Sequence, residues 1–399
     1  MAENKDKKVL NVPNIRFKEF KEEWEKCRLD KVATIVGGGT PDTNNSVFWN
    51  GSIQWFTPSE VGKNKYISHS IRKISEEGLK KSSAKLLPIG TILLSSRATI
   101  GECSINTIEC TTNQGFESLI INQDNYNEFF FYLIQTKRKE LIRKSCGSTF
   151  LEISSNEIKK INITKPSRKE QEKIASFLSL IDERIATQNK IIEELECLKK
   201  EITKRLFSQK ANKYNRLDTL FVKGKAGGTP TSTNKEYYNG NIPFLSINDI
   251  TTQGKYIYYT EKYITQEGLD NSSAWIVPKG CLIISMYASV GLVAINCIPI
   301  STSQAMFSIQ LKDENLIDYL YYYLSYFRYR HIHKYLETGT QSNINADIVR
   351  SILIPDYGYD MNIKIANSMK SIDDKIKNEV LILNQYTFQK QHLLRQMFI

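Results

Sequence analysis

The feature that most constrains this chain is that it is written twice. Gly38-Gly39-Thr40-Pro41 returns as Gly227-Gly228-Thr229-Pro230, an offset of 229 − 40 = 189, and the same step carries Trp49-Asn50-Gly51 onto Tyr238-Asn239-Gly240. At an offset of 190, Glu77-Gly78-Leu79 matches Glu267-Gly268-Leu269, and Ser82-Ser83-Ala84 matches Ser272-Ser273-Ala274. ILLSSRATIG (Ile92 to Gly101) then lies over LIISMYASVG (Leu282 to Gly291), and TTNQGF (Thr111 to Phe116) over STSQAM (Ser301 to Met306). A repeat settles architecture before any motif is read. One domain type has been duplicated, and small drifts in the offset mark short loop insertions. A length of 399 residues is in any case too great for one core, since single cores stop growing at roughly 250 to 300 residues.

Within each copy the short runs TILLSS, SLIIN, CLIIS and FSIQL, bounded by Gly, Pro, Asn and Ser, predict strands. Helices are expected over residues 127–144 and 315–334. Each copy then reads as an α+β globule of about 140 residues. The texture changes where each copy ends. Ile174, Leu178, Ile181, Ile185, Ile192, Leu195, Ile202 and Leu206 keep an alternating three- and four-residue spacing, interrupted at Gln188, which is the seam of a coiled-coil helix. Adding 191 to those positions gives Ile365, Met369, Ile372, Ile376, Leu383, Tyr386, Leu393 and Met397. Two helices of about 35 to 40 residues, roughly 50 to 60 Å long, are expected to pair antiparallel along these seams, an arrangement that relates two domain-plus-helix units by an approximate two-fold axis.

The expected fold class is therefore α+β: two tandem homologous α+β domains separated by two long α-helices that form an antiparallel coiled coil, with pseudo-two-fold symmetry. The expected boundaries are an N-terminal segment 1–21, a first domain 22–166, a first helix 167–210, a second domain 211–355 and a second helix 356–399.

Lys and Arg outnumber Asp and Glu by 54 to 43, a net charge of +11, which favours a polyanionic partner, nucleic acid first. Seven cysteines form no CxxC pair and read as reduced thiols in a cytoplasmic protein. The opening MAENKDKKVL lacks a signal-peptide core, and the longest apolar run, Phe129 to Ile134, is far short of a membrane span. Enzyme signatures are missing from the sequence: no GxxxxGK[ST], no GxGxxG after a strand, no HExxH. Asn241-Ile242-Pro243-Phe244 has the outline of a methyltransferase loop, but its repeat partner is Ser52-Ile53-Gln54-Trp55, so it belongs to a duplicated strand. Asp42 with Glu60 and Lys63 misses nuclease spacing by one residue. Glu60 and Asp249, acids kept in both copies, are expected to cap turns.

With these features together, the chain resembles the specificity subunit of a type I restriction-modification enzyme. The resemblance rests on Val12-Pro13-Asn14-Ile15-Arg16-Phe17 with Trp24, the doubled Gly-Gly-Thr-Pro followed by an aromatic-Asn-Gly, the Gly-terminated strands at Gly101 and Gly291, and Pro166 and Pro355 ahead of the helices. It implies two target-recognition domains, each reading one half of a split double-stranded DNA site. It also implies helices on which two methyltransferase subunits dock, with restriction (motor-nuclease) subunits joining through them. The chain itself would be non-catalytic and bind no cofactor; S-adenosylmethionine, ATP and magnesium would belong to the partners. A stand-alone sequence-specific DNA-binding regulator is the second reading, and a single-chain DNA-modifying enzyme the third.

Base-edge reading needs paired donors and acceptors, and backbone anchoring needs cations and hydroxyls. Candidate DNA contacts in the first copy are Thr40, Arg97, Thr99, Asn113 and Gln114, with Thr229, Tyr287, Ser289, Ser303 and Gln304 in the second. Arg97 suits guanine, and Gln114 or Gln304 adenine; the cluster's serines, Ser95, Ser96 and Ser285 among them, and the same glutamines can equally satisfy buried strand ends. A second cluster joins a basic helix end to a polar loop: Arg138, Arg143, Lys144, Ser148 and Thr149, and Arg328, Arg330, Lys334, Thr340, Gln341, Ser342 and Asn343. Positions that differ between copies, such as Arg97 against Tyr287, are the better candidates for readout, because two half-sites differ.

Overall fold

The computed structural model of the chain describes residues 11–147, 151–287, 289–334 and 343–399. It divides into two compact units, Met1–Gln188 with Ile382–Ile399, and Asn189–Leu381.

In unit 1 the strands are β1 (Glu25–Arg28), β2 (Ala33–Gly37), β3 (Trp49–Phe56), β4 (Tyr66–Ile67), β5 (Arg72–Ile74), β6 (Ile92–Leu94), β7 (Cys103–Asn106), β8 (Cys110–Thr112), β9 (Glu117–Ile121) and β10 (Asn162–Lys165). They form a five-stranded sheet in the order β2-β9-β6-β7-β4, a three-stranded sheet β5-β3-β8, and an antiparallel pair β1-β10. The helices are α1 (Glu76–Lys80), α2 (Asn127–Thr136), α3 (Arg138–Arg143), α4 (Ser155–Lys159) and the start of the 40-residue α5 (Arg168–Phe207).

Unit 2 repeats this with β11 (Lys213–Arg216), β12 (Phe221–Ala226), β13 (Tyr238–Leu245), β14 (Tyr256–Ile257), β15 (Lys262–Ile264), β16 (Leu282–Ser285), β17 (Val293–Asn296), β18 (Ser301–Thr302), β19 (Met306–Leu311) and β20 (Leu353–Asp356). The sheet orders are β12-β19-β16-β17-β14, β15-β13-β18 and β11-β20, strand for strand those of unit 1. Its helices are α6 (Ile247–Gln253), α7 (Gln266–Asp270), α8 (Ile317–Arg330), α9 (Ala346–Ser351) and the 39-residue α10 (Tyr359–Met397). The duplication, the α+β class and the two long helices read from the sequence are all present.

The aromatic-Asn-Gly motif explains itself locally. Asn50 and Asn239 sit at φ 60° and 61°, a left-handed conformation asparagine tolerates, and there the pairing of β3 with β5 and of β13 with β15 slips. The motif is a bulge that bends a strand. Asn-Ile-Pro-Phe lies inside β13, so it is strand, as the repeat implied. Glu60 and Asp249 close capping boxes with Thr57 and Ser246, which satisfies the first backbone donors of the following turn.

Three expectations shift in detail. The helix predicted over 127–144 breaks at Lys137 into α2 and α3, and that over 315–334 is α8 followed by a 3-10 turn at Ile332–Lys334. Gly101 and Gly291 do not end strands; β6 and β16 stop before them, and both glycines sit in turns at φ 86° and 77°. Pro355 lies ahead of α10, as expected, and within β20.

Within each unit the two long helices run antiparallel. In unit 1, Asp182 of α5 pairs with Lys390 of α10, while Ile174 and Leu178, earlier in α5, share a core with Met397 at the end of α10 and Phe398 just after it. In unit 2, Lys199 pairs with Asp373 and Thr203 meets Met369. Ile174, Leu178, Ile181, Ile365 and Met369 are buried, and Ile185, Ile192, Leu195, Ile202, Ile372, Ile376, Leu383, Tyr386 and Leu393 are half-buried. The seam also serves the globules. The first turns of α5 enter the core of Trp24, Phe129 and Leu133, and those of α10 enter the core of Leu217, Tyr319 and Leu324.

Candidate nucleic-acid interface

The Gly-Gly-Thr-Pro segments build one end of each globule by close backbone packing. A Cβ on Gly38 would lie 1.9 Å from the Asn113 carbonyl oxygen and one on Gly227 2.0 Å from that of Thr302, so only glycine lets the chain pass there. The amide of Gly39 donates to Thr112 and that of Gly228 to Thr302. This contact delivers Thr40 to Gln114 and Thr229 to Gln304, each pair joined by a side-chain hydrogen bond. Gln114 and Gln304 are exposed, whereas Ser95, Ser96 and Ser285 are fully buried. The cluster is therefore split by burial: the serines are enclosed at the strand ends and the glutamines face outward.

The turn after β6 joins the same end. Ser96 N–H donates to Gly115, and Ile153 N–H donates to Ser96, which brings residues 95–101, 113–115 and 151–153 together. In unit 2, Met286 N–H donates to Ala305 and Ile344 N–H to Met286, giving the same cluster. Ala98 and Ser289 hold positive φ, 58° and 32°, which turns the backbone outward at the tip. Thr99 and Ser289 are exposed and Asn113 and Ser303 half-buried. Thr99 Oγ1 donates to Ser95 Oγ at 3.1 Å, and Asn113 Oδ1 accepts from Gly115 N–H at 2.9 Å.

The two tips differ in chemistry. Arg97 makes an ion pair with Glu152, Nε to Oε1 at 2.7 Å, both side chains 43% exposed. Glu152 was not singled out by sequence; only the bridge between residues 97 and 152 brings it to the tip. Tyr287 occupies the Arg97 position in unit 2 with 39% of its surface exposed.

The basic helix ends split into two roles. Arg138 and Arg328 lay their stems under the Gly101 and Gly291 turns; Arg138 then pairs with Glu102 at 2.6 Å, and Arg328 donates to the Val290 carbonyl at 3.0 Å. They hold the tip in place. Lys144 pairs with Glu140 at 3.5 Å. Arg143 and Arg330 are exposed and Asn343 is half-buried. Ser148, Thr149, Thr340, Gln341 and Ser342, and the side chain of Lys334, lie outside the described residues. Among the described residues no group of three or more His, Cys, Asp or Glu is placed to hold a metal, and no helix is long and apolar enough to cross a membrane.

A family profile for the type I restriction modification DNA specificity domain matches residues 21–197 and again 210–385, one match for each copy and its helix. The chain belongs to this specificity family. The specificity subunit of the type I restriction enzyme MjaIX of Methanocaldococcus jannaschii is 37% identical over 201 residues, 47% of this chain and 46% of that protein. The EcoR124I/EcoR124II specificity subunit of Escherichia coli is 30% identical over 175 residues, 42% of this chain and 43% of that protein. This specificity-family chain thus spans about half the length of these curated relatives. A putative type I MjaX specificity subunit from M. jannaschii aligns along 93% of this chain and 91% of its own length at 25% identity.

Among solved structures, the type I restriction-modification S subunit from M. genitalium covers 97% of this chain and 99% of its own with a TM-score of 0.58 and 16% identity. A chain from a structure titled for complex assembly and conformational transition of the type I R-M system covers 94% and 97% with a TM-score of 0.65 and 15% identity. At such identities the likeness establishes the specificity-subunit fold alone.

Proposed function

We propose that this chain is the non-catalytic, sequence-reading subunit of a type I restriction-modification complex in the cytoplasm. Each globule reads one half of a bipartite double-stranded DNA site through the tip formed by Thr40, Arg97, Thr99, Asn113 and Gln114, or Thr229, Tyr287, Ser289, Ser303 and Gln304. The observation that carries this is one scaffold built twice with unlike residues, Arg97 and Tyr287, at the same exposed place. A guanidinium takes guanine bidentately, which a phenol cannot do. Arg143 and Arg330, with Lys144 and Lys334, supply phosphate contacts. The long helices dock two methyltransferase subunits, through which restriction subunits join. S-adenosylmethionine, ATP and magnesium act on those partners, while this chain supplies address and geometry.

Mapping methylated adenines in a host genome with and without the gene tests the reading. The expected result is a two-part motif with an unspecified gap that disappears on deletion, together with co-purification of a methyltransferase. An unchanged methylation map alongside retained DNA binding would favour the stand-alone regulator, and methylation by the lone protein given S-adenosylmethionine would favour an enzyme.

A further inference from the structure

Each unit contains a chain of partly buried charges that ties its globule to both long helices. In unit 1, Lys65, just ahead of β4, donates to Glu128 Oε2 at 2.5 Å, to Ser179 Oγ, and to the Tyr132 hydroxyl at 3.4 Å. Tyr132 donates in turn to Asp182 Oδ2 at 2.6 Å, and Lys390 Nζ meets the other oxygen of Asp182 at 2.6 Å. Four segments are joined: the loop before β4, α2, α5 and α10. In unit 2, Lys255 pairs with Asp318 at 2.7 Å and donates to the Tyr322 hydroxyl at 3.0 Å. Tyr322 donates to Asp373 Oδ2 at 2.7 Å, and Lys199 meets Asp373 Oδ1 at 2.5 Å. The side chains of Lys65 and Lys255 are 10% and 12% exposed.

The Lys–Tyr–Asp–Lys members are duplicated residue for residue, with steps of 190 in the globules and 191 in the helices, and Asp318 stands in the place of Glu128. Stability is a poor reason for it, because the desolvation of buried ions offsets their attraction and apolar residues of similar size do as well. Direction is the better reason. Each tyrosine hydroxyl accepts from one lysine and donates to one carboxylate, and two cations facing two carboxylates are all satisfied in a single placement. The surrounding aromatic and aliphatic contacts are non-directional and would tolerate small rotations of the globule on the helices.

We infer that Lys65–Tyr132–Asp182–Lys390 and Lys255–Tyr322–Asp373–Lys199 are positioning relays that lock each globule at one angle to its helix pair, and that this angle makes the complex select one gap between half-sites. The inference rests on the function proposed above.

The test uses the complex assembled with its methyltransferase subunits and a duplex series whose gap is native or altered by one or two base pairs. In the Tyr132→Phe/Tyr322→Phe double variant, all charges stay and only the link between ion pairs is cut. The ratio of native-gap to altered-gap methylation is expected to fall roughly tenfold, the scale of one lost hydrogen bond to a charged group, while native-gap methylation persists. Lys160→Met, which removes an exposed pair with Glu157 of α4, should leave the ratio unchanged. An unaltered ratio in the tyrosine variant overturns the inference, and so does a uniform loss at every gap, the mark of a merely structural role. If circular dichroism shows that the double variant does not fold, Tyr322→Phe alone is read by the same ratio and the same criteria. A wild-type complex that methylates no bipartite site overturns the functional reading instead.

Discussion

The two units share a scaffold and differ at its surface. Where the fold needs a particular contact, the copies agree: the glycines beside Thr112 and Thr302, the capping acids Glu60 and Asp249, and the rings that close each core, Phe398 on Phe129 and Phe207 on Tyr319. Where side chains face solvent they diverge. The 3-10 turn Pro58–Glu60 is answered by the longer α6, Ser68-His69 by the exposed Tyr258-Tyr259, and Arg97 with Glu152 by Tyr287. The entrances differ as well. Arg16 forms two 2.7 Å bonds to Glu170, which also accepts from the Trp24 indole, and so fastens the N-terminal segment to α5. The matching place on α10 is Met361, half exposed. Duplication thus keeps what holds the fold and varies what faces solvent.

The strongest way to break this comparison is to exchange residues 22–166 for the matching segment of a relative. One half of the methylated motif should be replaced entirely and the other kept; methylome sequencing that shows both halves changed, or neither, would end the one-globule, one-half-site reading.

Next in size, Phe398→Ala and Phe207→Ala each empty a buried ring position in equivalent cores and should each destabilise by about 3 to 5 kcal/mol. Denaturant unfolding that finds only one of them severe would show that the copies are not energetically alike. Arg16→Met strands Glu170, whose side chain is 2% exposed, and should cost about 3 kcal/mol. The loss is expected in unit 1 alone, so hydrogen exchange should rise there and not in residues 189–381; an equal rise in both would remove the asymmetry. Smallest is Arg97→Tyr, which gives the first tip the second's side chain. It should relax discrimination at one base pair of one half-site by about 1 to 3 kcal/mol without altering the melting temperature appreciably. Unchanged binding to every single-substituted duplex would remove Arg97 from the interface.

Much of this molecule is legible in the chain because its signals are local or periodic. The doubled motifs announce two like domains, the three- and four-residue spacing announces α5 and α10, and an acid three residues after Thr57 or Ser246 announces a cap; each reports on backbone a few residues away. The tertiary structure alone decides which distant pieces meet. Nothing in the sequence near Arg97 points to Glu152, and nothing near Lys65 points to Glu128, Asp182 or Lys390. The seam residues Ile174 and Leu178 look like pure helix–helix positions, yet they complete a globule's core together with Phe398, the penultimate residue of the chain. A side chain's partners across such separations depend on how sheets and helices close around a shared volume, and that closure is a property of all the packed residues at once, which leaves no spacing for a local pattern to record.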